Sequence, residues 1–162
     1  MMKNKHMALI LTLLLGGGLV SGNAGQIAAQ TVSERTERDF AKAVEAFDNG
    51  MYERAMTLFD DIVFRTGSVK AEGYSVLCQV HTGARGWENR MESFVSAHPS
   101  SELVPQLKFA LACKMFASGD YKNCVDVMNE LNIKHLRRSQ YSRYDFIYGF
   151  ALFSTGEYGK AA

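Results

Sequence analysis

One short pattern occurs three times in this chain. It reads Phe47-Asp48-Asn49-Gly50-Met51-Tyr52-Glu53-Arg54-Ala55, then Phe116-Ala117-Ser118-Gly119-Asp120-Tyr121-Lys122-Asn123-Cys124, then Phe153-Ser154-Thr155-Gly156-Glu157-Tyr158-Gly159-Lys160-Ala161. Each copy holds Phe, two residues, Gly, one residue, Tyr, two residues and a small residue. A glycine after an apolar-periodic stretch marks the left-handed cap of a helix, and the aromatic after it opens the next one. Trp87 stands at the aromatic position of a fourth, degenerate copy. The aromatics at 52, 87, 121 and 158 are separated by steps of 35, 34 and 37 residues. A period of about 34 residues with two helices per unit is the signature of an array of helix pairs.

The rest of the sequence agrees with an all-α reading. Pro is scarce, at 2 residues, and the apolar content of 47% is enough for a packed core. Phe40, Val44 and Phe47 fall at helical spacing before Gly50, and Ala55, Met56, Phe59, Ile62 and Val63 share one face before Thr66-Gly67. Val76, Leu77 and Val80 follow on a helix over about 72–81. Met91, Phe94 and Val95 lie on another, which ends at His98-Pro99. Further helices are expected over about 102–117, with Pro105 tolerated in the first turn, over about 121–131, and from about Tyr141. The units fall at about 37–68, 69–100, 101–137 and 138–162.

The N-terminus has the order of a secretory signal peptide over 1–25. A basic lead (Lys3, Lys5) precedes an apolar run from Met7 to Val20, and small and polar residues follow. Cleavage is expected after Ala24 or near Ala29; the alternative is a retained anchor. The apolar run is shorter than the roughly 18 to 20 residues that span a bilayer. No transmembrane span is expected in the mature chain. Residues 26–36 are small and polar and read as a linker or a frayed helix start. The chain stops just after its fourth turn, so a fragment of a longer repeat protein is expected. The apolar face of residues 144–153 would then be partly uncovered.

Several chemistries find little support. Lys plus Arg is 18 against 17 Asp plus Glu, for a formal charge of +1, which gives no clustered basic footprint for nucleic acid. Cys78, Cys113 and Cys124 are odd in number and make no disulfide framework, although Cys113 and Cys124 could be bridged after export. Cys78 and His81 lie three apart on one helix, but no second pair with ligand spacing follows, so no metal is assigned. His98 and His135 are the alternatives as a base for a thiol nucleophile, and no pocket for one is implied. Gly16-Gly17-Gly18 lacks the Lys and Ser/Thr of a phosphate loop. No catalytic residue and no cofactor is assigned, and the chain is read as not an enzyme. Lys134, Arg137, Arg138 and Arg143 form a basic patch between the third and fourth units. It is either a solvated turn or an anionic docking patch. Asp60-Asp61 reads as a solvated helix face.

The repeated residues resemble those of tetratricopeptide repeat proteins. The resemblance rests on Ala43, Phe47, Gly50, Tyr52 and Ala55, on Ala112, Phe116, Gly119, Tyr121 and Cys124, and on Gly149, Phe153, Gly156, Tyr158 and Ala161. It implies a right-handed α-solenoid of antiparallel helix hairpins, incomplete at the C-terminus. Within each hairpin the paired small residues would let two helices approach closely. In the second unit Cys78 faces Arg90 instead, so looser packing is expected there. The resemblance also implies a concave groove lined by first helices. Its candidate residues are Phe40, Val44, Phe47, Gln79, Phe109, Cys113, Phe116, Phe146, Phe150 and Phe153, any of which could instead pack between repeats. A two-carboxylate clamp of the chaperone-tail-binding kind is disfavoured, because Ala41, Val76, Ala110 and Ile147 occupy the positions that would need Asn. The turn Pro99-Ser100-Ser101 followed by Pro105 is similar to repeats of exported bacterial envelope proteins.

The expected function is a non-catalytic scaffold of the Gram-negative cell envelope, periplasmic or outer-membrane-associated, that holds a protein or peptide segment. The alternatives are a repeat domain of a longer outer-membrane assembly protein, of a carbohydrate-uptake protein, or of a multidomain enzyme. The sequence assigns no oligomeric state.

Overall fold

The computed structural model describes residues 21–161, with side chains over 31–160. Of the expected leader over 1–25, residues 1–20 lie outside the described residues. Contacts divide the chain into two compact units, 1–39 and 40–162. Among the described residues the structure is all-helical, with eight α-helices in the order α1 (Ser21–Asp48), α2 (Tyr52–Thr66), α3 (Val69–Thr82), α4 (Trp87–Ala97), α5 (Val104–Ala117), α6 (Tyr121–Asn129), α7 (Tyr141–Ser154) and α8 (Tyr158–Ala161). Two short 3-10 turns, Ile133–His135 and Arg138–Gln140, connect α6 to α7.

Residues 26–36, read as a linker or a frayed helix start, are helical: α1 runs through them without a break. The stretch from Gln26 to Thr36 has no Pro or Gly, and Ala, Gln, Glu and Arg favour helix there. Thr36 Oγ1 donates to the Val32 carbonyl and Arg38 Nε to the Glu34 carbonyl, each one helical turn back.

The three sequence copies fold into the same turn. After α1, Gly50 N–H donates to the Phe47 carbonyl and Met51 N–H to the Ala46 carbonyl, both at 2.9 Å. After α5, Gly119 N–H donates to Phe116 O at 3.1 Å and Asp120 N–H to Met115 O at 2.9 Å. After α7, Gly156 N–H donates to Phe153 O at 3.1 Å and Glu157 N–H to Leu152 O at 2.9 Å. Each pair satisfies helix-end carbonyls in the manner of a Schellman cap. It needs a positive φ, and the three glycines supply it at 73°, 79° and 82°. The degenerate copy differs: Gly83 and Gly86 both turn left-handed, and one residue more separates the helices.

Side-chain packing in the 40–162 unit follows from the apolar faces. On α2 the buried residues Ala55, Phe59 and Ile62 lie at i, i+4 and i+7. They meet α1 and α3 through Phe40, whose ring lies 5.5 Å from Phe59 and 5.7 Å from Tyr74, both edge-on. Helix α3 is enclosed on several sides, burying Ala71, Gly73, Ser75, Val76, Leu77, Cys78 and Val80. Two apolar clusters result. The first joins α1–α4 with Leu107 and Ala110 of α5; the second joins Phe109 and Ala112 of α5 with α6 and α7. Helix α5 thus divides its faces between the two clusters. The small pairs are fully buried: Ala43 with Ala55, and Ala112 with Cys124, whose Sγ lies 3.4 Å from the Ala112 carbonyl.

The second unit is held tightly. A Cβ added to Gly73 would meet Phe94 Cζ at 2.8 Å and Leu103 at 3.0 Å, so α3 and α4 approach closely at that residue. Arg90 leaves the small-residue site and bonds outward. Its guanidinium reaches Asp60 Oδ1 and Ser75 Oγ at 2.9 Å and Gln79 Oε1 at 3.2 Å. A polar network therefore ties α2, α3 and α4 together, and Asp60 belongs to it rather than only to a solvated face. Asp61 does stay on the surface, paired one turn along with Arg65 at 2.9 Å.

Candidate functional site

A cavity of about 440 Å³ is lined by residues of α1, α2, α3, α5 and α7 and of the α6–α7 connection. Helix α1 gives Phe47 and Asp48, α3 gives Leu77, Val80 and His81, and α5 gives Gln106, Phe109, Ala110, Cys113, Lys114 and Ala117. Tyr52 closes one side, and Arg137, Ser139, Gln140 and Arg143 close the other. The two 3-10 turns bend the chain after α6 and carry Arg137 to the cavity mouth. Asn132 caps the first of them through its side chain, which accepts from the Lys134 N–H at 3.0 Å. Leu136, buried, anchors the bend in the second cluster.

The cavity is electropositive. Arg137 Nη1 pairs with Asp48 Oδ1 at 2.7 Å, and its guanidinium lies over the Phe47 ring at 5.3 Å. Lys114 lies over the Trp87 ring at 5.6 Å. Among the described residues neither Lys114 nor Arg143 has an acidic partner within ion-pair distance. One carboxylate, Asp48, thus faces three cations. His81 registers the imbalance. It stacks flat on Tyr52 at 4.4 Å and meets Phe47 edge-on. Loss of water, followed by the charges of Arg143, Lys114 and Arg137, pushes its pKa down to about 4 although the residue keeps exposed surface.

Gln106 adds an unmet acceptor. Its Nε2 donates to the His135 carbonyl at 3.1 Å, while its Oε1 is buried with no protein partner. A buried amide oxygen of this kind calls for an N–H or O–H donor. Beyond the cavity, α5, α6 and α7 form an aromatic shelf. Phe116 lies 5.9 Å from Phe146 and 5.4 Å from Phe150, and Tyr121 lies 5.6 Å from Phe150, all edge-on or tilted. Phe146 and Phe150 keep 62% and 43% of their surface exposed, so the shelf is open to a ligand. On the cavity wall Cys113 lies about one helical turn before Phe116 and Ala117 directly follows it, which makes cavity and shelf adjacent.

The groove candidates separate into three groups. Phe47, Phe109 and Cys113 line the cavity, and Phe116, Phe146 and Phe150 make the shelf. Phe40 and Val44 pack against the first apolar cluster. Phe153 is exposed beside Tyr158, and Gln79 turns the other way, donating to the Arg85 carbonyl at 3.2 Å and accepting from Arg90. Of the basic patch, Arg137 and Arg143 reach the cavity, while Lys134 and Arg138 are exposed and do not line it. Lys114, His81 and Gln106 are the cavity residues that groove spacing did not single out. For Gln106 and Lys114 the signal is the α5 face at 106, 110, 113, 114 and 117, which a helical wheel places together; His81 lies on α3, one turn after Leu77.

The thiols are free and shielded. Burial pushes Cys78 up to about 12 and Cys124 up to about 11, and raises Cys113 against the opposing pull of Arg143. Among the described residues no group of three His, Cys, Asp or Glu side chains has metal-binding geometry. No helix among them is long and apolar enough to cross a membrane. No family model, curated protein or solved structure matches the chain.

Proposed function

We propose that the chain is a tetratricopeptide-like array of helix hairpins that binds an extended acidic-aromatic peptide segment on the face formed by α1, α3, α5 and α7. The single observation that carries this reading is the cavity's excess of cations beside an open aromatic shelf. Carboxylates of the segment would pair with Lys114 and Arg143. Aromatic side chains would lie on Phe116, Phe146 and Phe150. The recurrence of one turn geometry at Gly50, Gly119 and Gly156 supports the repeat assignment, since an array needs equivalent joints at a fixed period. The work is non-catalytic in this reading, because the site offers charge, shape and apolar surface, and its thiol is kept protonated by burial. The leader-like order of residues 3–25 supports action in the Gram-negative envelope, periplasmic or outer-membrane-associated.

The test is selection from a random dodecapeptide library displayed on phage, with the purified chain as bait. The wild type is expected to enrich peptides that combine Asp or Glu with Phe, Tyr or Trp. A Lys114→Glu/Arg143→Glu bait is expected to lose them and to enrich basic peptides. Enrichment of nothing overturns the peptide-binding reading. Enrichment indifferent to the charge reversal overturns the assignment to this cavity.

A further inference from the structure

A second cavity, of about 310 Å³, shares no lining residue with the cationic one and has the opposite character. Its floor is apolar: Trp87, Met91 and Val95 from α4, Leu111 from α5 and Val127 from α6. The three α4 residues follow one another at i, i+4 and i+8, so they form a continuous stripe along that helix. Around them stand Glu88, Glu92 and Glu130, with Lys108 as the lone cation. Lys108 is already engaged by Glu130 at 2.6 Å. Among the described residues Glu88 and Glu92 have no basic partner within ion-pair distance.

A cleft between two helix pairs would ordinarily be filled by side chains of both. Here α4 is short, and α5 turns Leu107 and Ala110 to the first cluster but Phe109 and Ala112 to the second. Leu111, partly buried, packs against the edge of the first cluster and lines the opening together with Trp87 and Met91. The volume lies at the small end of the range for ligand cavities, roughly 300–1,000 Å³. It suits one or two apolar side chains better than an extended peptide.

We propose that this cleft is a second docking site, which takes the apolar face of a basic amphipathic helix from a partner protein. One or two large aliphatic side chains of that helix enter between Trp87, Met91 and Leu111. Lys or Arg residues flanking them pair with Glu88 and Glu92, which lie one turn apart on α4. The charge of the cleft selects against the acidic segment proposed for the cationic cavity, so the two surfaces take different ligands. This inference does not depend on the repeat assignment or on the cationic cavity.

Trp87 is the sole tryptophan in the chain, so its fluorescence reports on the cleft directly. The experiment titrates the full chain with a fourteen-residue amphipathic helix built from Leu and Lys, and separately with its counterpart built from Leu and Glu. Both titrations use the Lys114→Gln chain, because Lys114 of the cationic cavity lies over the Trp87 ring; there the Leu/Lys helix is expected to shift Trp87 emission to the blue and to saturate, and the Leu/Glu helix to leave it unchanged. Glu88→Gln/Glu92→Gln is expected to weaken the Leu/Lys helix about tenfold or more, whereas Glu45→Gln/Glu53→Gln, remote from the cleft, leaves it unchanged. Leu111→Trp is avoided because it adds a second reporter; Val127→Phe, which narrows the cleft, is expected to abolish the shift while the helical circular dichroism stays intact. The proposal is overturned if neither helix shifts Trp87, if both do equally, or if the remote pair matters as much as Glu88 and Glu92.

Discussion

Arg137 and Asp48 stand 89 positions apart in the chain, and their side chains meet at 2.7 Å. The pair joins the end of α1 to the loop before α7 and closes the mouth of the cationic cavity. Both side chains remain roughly half exposed, at 40% and 50%, so water screens the attraction.

Asp48→Asn is therefore expected to cost about 1 kcal/mol of stability or less. It removes the one carboxylate that competes with an acidic ligand. Affinity for an acidic-aromatic peptide is expected to rise about two- to fivefold, a change of the size that a partly exposed charge supplies. Fluorescence anisotropy with a labelled peptide measures it, and a fall in affinity would count against the charge logic of the cavity.

The repeated turn makes a stability prediction. Gly119 holds φ at 79°, where a side chain is disfavoured. Gly119→Ala is expected to destabilise the fold by about 1–2 kcal/mol from backbone strain alone, since a Cβ there would have open space around it. Gly73→Ala should cost about 1–3 kcal/mol for the other reason, the crowding of Phe94 and Leu103. Urea melts of both variants distinguish the causes: Phe94→Leu is expected to relieve the second and leave the first unchanged.

The Arg90 network is expected to matter more than its position on the surface implies. Arg90→Ala leaves Ser75, which is fully buried, with Asp60 as its remaining partner, and frees Gln79 Oε1. A loss of about 1–3 kcal/mol follows from partly unsatisfied polar groups. A thermal melt within about 0.5 kcal/mol of wild type would show the network to be energetically idle.

Acid should weaken the fold through His81. The unfolded imidazole binds a proton near its ordinary pKa of 6.5, while the folded one resists until about 4. Between those values the unfolded state takes up more protons, so stability falls as pH drops from about 6.5 to 4. The groups facing the ring are Asp48 on α1, Tyr52 on α2, Lys114 on α5, and Arg137 and Arg143 around the α6–α7 connection. His81→Gln is expected to flatten that part of the stability–pH curve, measured by urea unfolding. An unchanged slope would remove His81 as its origin.

Much of the fold was legible because its joints are chemical. Gly50, Gly119 and Gly156 are needed where φ turns positive, and the aromatic after each marks the next helix, so the helix ends at these joints fell within a few residues of their observed places, whereas the start of α1 lies well before the expected Glu37. Residues 26–36, read as a linker or a frayed helix start, are helical, since nothing in the stretch breaks a helix. The second unit was expected to be loose because Arg90 replaces a small residue, but the guanidinium found Asp60 and Ser75 on other helices, contacts that spacing does not show. The cavity was half legible. Phe47, Phe109 and Cys113 follow from helical phase, and Arg137 and Arg143 from a visible basic patch. That the patch folds back against α1 depends on two 3-10 turns and a buried Leu136, which no periodicity encodes. Gln79 missed the cavity because Arg85 and Arg90 draw its amide to the opposite side.

The most direct test of the cationic cavity is the His81 imidazole itself, followed by nuclear magnetic resonance through a pH titration and assigned with His81→Gln. In the free chain its pKa is expected near 4, held down by burial and three cations. Saturation with an acidic-aromatic peptide places carboxylates beside those cations, and the pKa is then expected to rise by about one unit or more, toward the ordinary histidine value. A pKa unchanged at saturation, with the peptide demonstrably bound, would contradict the account and move the binding site away from α1, α3 and α5.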